Sequence, residues 1–182
     1  MSDADIVVLD PKRITYQHVR AWKYRTTQKH QTNIGIYPLG VAEIKSRWGE
    51  IVSVFSPDGT LFIADGYAWD GPSGPTIDTS DTMRASLYHD VGYQLMRKGL
   101  LAIEFKDRFD RLLERILIED GLELVRLLEK MGGLVNKAKA MWIRNTIKPR
   151  AAMWYQAVSK FAGSACKPGP DPIDEEIIAP SV

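Results

Sequence analysis

The pattern of apolar residues changes near residue 79, and this change limits the folds that the chain can adopt. Before it, short β-branched runs alternate with turn formers. Residues 51–55 and 60–64 flank Ser56-Pro57-Asp58-Gly59, which is the pattern of a β-hairpin. After it, apolar residues recur at helical spacing. Antiparallel β-hairpins followed by a helical half predict an α+β fold.

The helical half divides into segments at its turn formers. Four apolar residues spaced four apart predict a helix that begins at Ser80 or Asp81 and ends near Gly99. We expect a second helix over residues 102–119 and a third over 122–130. A fourth helical stretch, residues 136–161, contains a proline that should kink or divide it. The four apolar residues are Met83, Leu87, Val91 and Leu95, and the proline is Pro149.

The chain has 182 residues, which suffices for one well-buried core. We expect one α+β domain over residues 1–163, β-rich over 1–75 and helical over 79–163. An acidic, proline-rich tail over 164–182 follows. The net charge of +1 gives no overall field that would attract nucleic acid, so no specific nucleic-acid partner is indicated.

The N-terminus is acidic over Met1–Asp5, where a signal peptide would be basic, and the apolar run at residues 6–9 is short. Cys166 is the only cysteine, so an internal disulfide is impossible. No run approaches the ~18 consecutive apolar residues of a membrane-spanning helix. These features predict a soluble protein made in the cytoplasm without a signal peptide.

The residues best suited to catalysis or metal binding lie where the two halves meet. The turn-rich segment 67–75 precedes a helix that carries His89, Asp90 and Tyr93. Such a segment can offer carbonyl oxygens to a hard cation, with Asp70 as a carboxylate, or it can be a plain strand-to-helix connection. His89 and Tyr93 share one helix face, whereas Asp90 projects about 100° away. A histidine can take a proton from water near neutral pH, although a lone helical histidine is more often a partly buried structural residue.

This region resembles the active site of secreted phospholipases of the A-two class, and still more the viral form in parvovirus capsid proteins. Those proteins pair a Tyr-x-Gly-x-Gly calcium loop with a His-Asp-x-x-Tyr helix. Here Trp69-Asp70-Gly71-Pro72-Ser73 and His89-Asp90-Val91-Gly92-Tyr93 correspond, and Ser73 lies sixteen positions before His89, as in that family. Trp69 replaces the tyrosine and Ser73 a glycine. Disulfides are absent, as in the viral form.

The phospholipase resemblance implies a calcium ion held by the Asp90 carboxylate and by backbone carbonyls near Trp69, Gly71 and Ser73. It also implies that His89 activates water for attack on an ester. Tyr93 would support this histidine by hydrogen bonding.

Residues 50–163 also resemble a family of uncharacterised tailed-phage and prophage proteins. Its pattern is an Asp-Gly-x-Ser-x-Pro loop, a His-Asp-x-x-Tyr helix, an Asp on the next helix and a late Tyr-x-Ala-Val…Gly segment. Asp70–Pro75, His89–Tyr93, residues 155–158 and Gly163 match it. This resemblance implies a phage-encoded, virion-associated protein made in a bacterial host. Other virion proteins, and membrane phospholipid, would then be its partners.

Both resemblances imply a carboxylate on the following helix that orients His89. Asp107 and Asp110 are the candidates. We favour Asp110, because its distance to Gly121 fits the phage pattern and because apolar residues follow it at helical spacing. Antiparallel helices would bring it within hydrogen-bonding distance of His89, with Asp90 directed toward the loop backbone. Alternatively, both aspartates are exposed partners of Lys106, Arg108 and Arg111.

Two further patterns have competing interpretations. A metal-dependent phosphohydrolase would need more ligands, and the other histidines, His18 and His30, are poorly placed in the sequence for this role. Residues 136–160 are basic, contain tryptophans and lack acids. This helix could lie on an anionic membrane, or it could pack on the core with its basic side facing the acidic tail.

The sequence therefore leads to two functional hypotheses. The first is a phage-encoded, calcium-dependent, phospholipase-like ester hydrolase that acts at the host envelope. The second is a non-catalytic virion protein of the tail or neck that keeps the same loop–helix module as a structural clasp.

Overall fold

The computed structural model describes residues 16–18, 24–46, 48–72 and 80–168. Short antiparallel strands precede three long α-helices, which confirms the predicted α+β fold. The strands are β1 (Tyr16–His18), β2 (Tyr24–Thr26), β3 (His30–Asn33), β4 (Ala42–Lys45), β5 (Ile51–Phe55), β6 (Thr60–Ile63) and β7 (Ala68–Trp69). The helices are α1 (Ser80–Arg97), α2 (Lys106–Met131) and α3 (Leu134–Phe161), with short 3₁₀ turns at Ile103–Phe105 and Ala162–Ser164.

The strands form two small sheets, a four-stranded one in the order β3-β6-β5-β4 and a three-stranded one in the order β1-β2-β7. The predicted hairpin is present: β5 and β6 pair antiparallel, with Phe55 opposite Leu61. Its turn closes where the Gly59 amide donates to the Ser56 carbonyl at 2.9 Å. In the other sheet β7 pairs with β2, which places Trp69 opposite Tyr24 just before the loop that enters α1.

Helix α1 lies at the centre of the core. Nearly all of its residues from Thr82 to Met96 are buried, against both sheets and α2. Burial around the whole circumference explains why its sequence lacks a clear polar face. Ala151 and Trp154 in the C-terminal part of α3 belong to this core. Cys166, which follows the last 3₁₀ turn, is also buried in it. A separate small cluster joins the distal halves of α2 and α3.

The predicted division of the helical half is wrong at Asp120-Gly121. Residues 102–130 do not form two helices, because α2 runs unbroken through Asp120-Gly121 to Met131. A Cβ at Gly121 would overlap the Ile147 side chain, so this glycine permits close packing of α2 on α3. Helix α3 likewise continues through Pro149 to Phe161 and is not divided. Buried residues on both sides of the proline hold the helix in place, which local propensity does not capture.

Several predictions fall outside the described residues. These concern Ser73, the side chains at the start of α1, the first fifteen residues and the acidic tail beyond Pro168. Among the helices of the described ranges, none has the length and apolar character needed to cross a bilayer.

Candidate active site

The site forms where α1 and α2 come closest. Gly92 in α1 makes this approach possible, since a Cβ there would overlap the ring of Phe109 in α2. Phe109 is itself fully buried in the core. The next residue, Asp110, is thereby brought against the α1 face that carries His89 and Tyr93, two residues one helical turn apart. The glycine inside the His-Asp-Val-Gly-Tyr motif thus sets the distance between the two helices.

Asp110 is the acceptor at the centre of a buried hydrogen-bond network. Its side chain is 1% exposed. Its Oδ1 atom accepts from His89 Nε2 at 3.1 Å and from the Tyr93 hydroxyl at 2.8 Å. Its Oδ2 atom accepts from Lys106 Nζ at 2.7 Å and from the Ser159 hydroxyl at 3.3 Å. Four donors leave no acceptor position unused, so His89 carries its hydrogen on Nε2 when neutral.

These contacts also determine the protonation states of Asp110, Tyr93 and His89. Burial alone would raise the pKa of Asp110, but the hydrogen bonds from His89, Lys106 and Tyr93 outweigh it and hold the pKa below its ordinary value. Burial raises the pKa of Tyr93, as does its bond to Asp110, so this phenol remains a donor. For His89, burial works against the charged form, yet the hydrogen bonds to Asp110 and Asp90 prevail and raise its pKa. Asp110 therefore stabilises an imidazolium at this position.

His89 lines a cavity of about 180 Å³. Its Nε2 atom faces Asp110, which does not line the cavity, and its Nδ1 atom faces Asp90, which does, so we infer that Nδ1 is the ring nitrogen on the cavity side. Asp90 Oδ1 is 3.5 Å from His89 Nδ1, which is long for a hydrogen bond. The histidine side chain is 7% exposed, so the ring is reached through this cavity rather than from open solvent. The cavity is lined by His89 together with Tyr67, Trp69, Asp70, Asp90, Tyr93 and Arg97, and by residues from the end of α3.

Asp90 has a different environment from Asp110. Its pKa is raised, first by burial and further by the nearby Asp70 carboxylate, while His89 and Arg97 act in the opposite direction. We expected Asp90 to point to the loop backbone at Gly71–Ser73. Its Oδ1 atom lies 3.5 Å from His89 Nδ1, and Asp90 lines the cavity together with Trp69 and Asp70 from the start of the loop.

The loop residues are placed by packing. Trp69, where the phospholipases have tyrosine, is buried, and its indole nitrogen donates to the Ser86 hydroxyl at 3.1 Å. Gly71 is buried with its Cα against the Tyr24 ring. Trp69 thus fixes the end of β7 to α1, next to the cavity. Ser73, the remaining predicted ligand, lies outside the described residues.

The two candidate aspartates on α2 differ in exposure and in hydrogen-bond partners. Asp107 has a side chain that is 60% exposed. It accepts from Arg111 at 2.9 Å and from the Tyr155 hydroxyl at 2.8 Å. The alternative of exposed ion pairing therefore describes Asp107, whereas Asp110 contacts His89.

Sequence reasoning did not assign Lys106, Ser159 or Arg97 to the site. Lys106 lies four residues before Asp110, which is the spacing of a helical ion pair, so the sequence held a signal for it. Arg97 lies two turns after His89 on the same face of α1, and it lines the cavity. Its Nη1 donates to the Ala165 carbonyl at 2.7 Å. Ser159 comes from α3, and no local pattern indicates that α3 returns to this point.

A metal-dependent phosphohydrolase site is not formed by the described residues. His30 lies on β3 in the four-stranded sheet and does not line the cavity beside His89. No group of three or more His, Cys, Asp and Glu side chains in the described ranges is arranged to hold a metal ion. The cavity does, however, combine two carboxylates, Asp70 and Asp90, close enough to repel each other. Oxygen donors of this kind fit calcium in chemical type.

Comparisons of this chain with protein-family models, with curated proteins and with solved structures find no match. The chemistry of the site therefore has to be argued from its own geometry. That geometry is a histidine oriented by a buried, ionised carboxylate and bordering a small cavity.

Proposed function

We propose that this protein is an ester hydrolase of phospholipase type, in which His89 is the general base. One observation carries the proposal: His89 Nε2 donates to the buried Asp110 at 3.1 Å, while His89 lines the cavity with its Nδ1 facing Asp90. A histidine held in this way has a defined tautomer and one nitrogen available to a water molecule. Burial and a specific charged partner together mark a functional-site candidate.

The proposed reaction needs only water and an ester. Neutral His89 takes a proton from water at Nδ1, and the water oxygen forms a bond to the ester carbonyl carbon. The tetrahedral intermediate then collapses, the carbon–oxygen bond to the alcohol breaks, and the leaving oxygen takes the proton from the imidazolium. Asp110 stabilises that imidazolium. Arg97, which lines the cavity, is positioned to offset negative charge that develops on the carbonyl oxygen.

Calcium belongs to the proposal as a bound ion. The Asp90 carboxylate would hold it, together with backbone carbonyls at Trp69, Gly71 and Ser73. It would supply positive charge for the developing oxyanion. The repulsion between Asp70 and Asp90 supports this part, because a cation would relieve it.

The size of the cavity limits the substrate. Complete small-molecule sites enclose roughly 300–1,000 Å³, whereas this one encloses about 180 Å³. The reacting ester group and a water molecule therefore enter, and the rest of a long substrate stays outside. A phospholipid in a membrane satisfies this restriction. The resemblance to tailed-phage proteins adds the proposal that the protein is virion-associated and acts at the host envelope.

The second candidate function is a non-catalytic virion protein of the tail or neck. The network itself favours this candidate, because Asp110 in α2 accepts from His89 in α1 and from Ser159 in α3. Lys106 adds a bond to the Val158 carbonyl at 3.1 Å. A clasp that joins three helices could be kept for stability alone. The two candidates differ in whether hydrolysis depends on His89.

The test compares two histidine substitutions of the full chain. His89→Asn removes the proposed base, and we expect hydrolysis of phospholipid or of a soluble activated ester to fall at least ~10²-fold. His30→Asn is the matched control, because His30 is also buried but lies in the four-stranded sheet. It should keep its activity per folded molecule. Equal rates for wild type and His89→Asn would support the structural clasp.

A separate test concerns calcium. Millimolar calcium should raise the melting temperature by mass action, and Asp90→Asn should abolish the rise. Asp107→Asn is the control, because it removes an equivalent carboxylate that is exposed and outside the cavity. A melting temperature that calcium does not change would remove the ion from the proposal and leave the His89–Asp110 pair untouched.

A further inference from the structure

Helix α3 presents an apolar stripe to solvent, about 120° around the helix from the centre of its buried face. Val135, Trp142 and Met153 are 68%, 59% and 50% exposed. At 100° per residue their side chains lie within about 20° of one another, so they form one line along the helix. The buried face of α3 consists of Ala140, Ile143, Ile147, Ala151 and Trp154.

All of the charged side chains of α3 are basic. Its 28 residues include no acid. Arg144 is paired with Glu129 of α2 at 2.7 Å. Lys139 and Lys160 are exposed, lie within about 60° of the apolar stripe at 100° per residue, and have no ion-pair partner within the described residues. The Arg150 guanidinium lies 5.9 Å from the centre of the Trp142 ring. The cations of α3 are Lys137, Lys139, Arg144, Lys148, Arg150 and Lys160.

We propose that this face of α3, the stripe Val135–Trp142–Met153 with the neighbouring Lys139 and Lys160, binds the surface of an anionic phospholipid bilayer. Tryptophan favours the boundary between headgroups and acyl chains. Basic residues beside an apolar line are attracted to anionic headgroups. Leu134 and Met131 are also exposed at the turn between α2 and α3, which extends the apolar surface to the end of the helix pair.

Charge argues against the other occupants of this surface. In a symmetric contact with a second copy, the cations beside the stripe, Lys139, Arg150 and Lys160, would meet the same cations with no acid on either α3, which is repulsive. Nucleic acid would bind the cations but would leave the apolar stripe without an apolar partner. An anionic bilayer would contact both the cations and the apolar stripe. Binding does not require His89, so the inference stands apart from the proposed hydrolysis.

The experiment measures binding of the full chain to vesicles, with a chelator present to prevent turnover. Vesicles of phosphatidylcholine that contain phosphatidylglycerol should bind the protein in co-sedimentation, and vesicles of phosphatidylcholine alone should bind it much less. High salt should weaken the binding. The double variant Trp142→Ala/Lys139→Gln should lose more than about tenfold in affinity.

The matched control is Leu39→Ala/Lys29→Gln, which also removes one exposed apolar side chain and one exposed lysine, both in the β-rich half. It should bind as the wild type does. Equal losses in the two double variants, or equal binding to both kinds of vesicle, would overturn the inference. So would a dimer that forms without lipid and is abolished by Trp142→Ala, because the face would then join copies of the chain. Hydrolysis of a soluble ester should remain in Trp142→Ala/Lys139→Gln, which separates this test from that of the proposed function.

Discussion

Two clusters of buried charge join α1 to α2, one in each half of α1. In the first, Arg84 is paired with Asp120 through two hydrogen bonds of 3.0 and 2.6 Å and with Glu119 at 3.2 Å. In the second, His89 and Tyr93 donate to Asp110. Both clusters border a cavity, and the cavity beside Arg84 is the larger, at about 350 Å³ against about 180 Å³.

The clusters differ in the proton chemistry that they offer. The pKa of Arg84 is raised above its already high value despite burial, mainly by Asp120, so its guanidinium stays charged and cannot accept a proton. Burial raises the pKa of neighbouring Tyr88 to about 12. Among the described residues that line the larger cavity, none is a histidine or cysteine. Cavity size and buried charge therefore do not identify a reactive site, whereas an oriented side chain that can accept a proton marks a candidate.

The largest expected effect is on the rate of hydrolysis, and it tests the role of Asp110 in the second cluster. Asp110→Asn replaces the carboxylate that fixes the tautomer of His89 and stabilises its imidazolium. We expect hydrolysis to fall by roughly 10³- to 10⁴-fold, the size of effect seen when such a carboxylate becomes an amide. Asp107→Asn is the control three residues away, and it should retain the wild-type rate. Equal rates in these two variants would show that the buried network does not act on the chemistry.

A smaller expected effect concerns the other cluster. Arg84→Met removes the buried cation that pairs with Asp120 and Glu119, and the free energy of unfolding should fall by about 3 kcal/mol. Arg126→Met breaks an exposed pair with Glu123 and should change stability little. Denaturant unfolding measures both variants. A loss of stability in Arg84→Met no larger than that in Arg126→Met would mean that the first cluster does not hold α1 to α2.

The smallest expected effect is a difference between the two clusters in how their contribution to stability depends on pH. The pKa of Asp110 is below its ordinary value of 3.8 in the folded protein. Its stabilisation is therefore fully present above about pH 4 and is lost as the pH falls through the folded pKa. The Arg84 guanidinium stays charged throughout this range. Unfolding measured between about pH 5 and pH 2 should show a steeper loss of stability in the wild type than in Asp110→Asn. Parallel curves would contradict the assigned protonation of Asp110.

Local pattern was sufficient for part of this structure. The hairpin around Gly59 and the position of α1 follow from turn chemistry and apolar spacing. The preference for Asp110 over Asp107 came from spacing shared with the phage proteins and from the apolar residues that follow it. The contact between Asp110 and His89 lies where that preference placed it.

The rest depended on tertiary packing. Gly121 resembles a helix end in the sequence, but Ile147 packs against it from α3, more than twenty residues later. Pro149 is tolerated because α3 is anchored on both sides of it. Ser159 reaches Asp110 only after α3 has folded back along α2. The sequence carries no local signal for contacts of this kind.

The most direct test of the central claim measures hydrolysis of a soluble activated ester by His89→Asn and Arg84→Met, with both rates expressed per folded molecule. Each variant removes a buried α1 side chain that donates a hydrogen bond to an α2 carboxylate. We predict that His89→Asn loses at least ~10²-fold in rate and that Arg84→Met keeps the wild-type rate despite its lower stability. Equal rates for the two variants, whether both low or both unchanged, would contradict the claim that His89 is the reactive group of this fold.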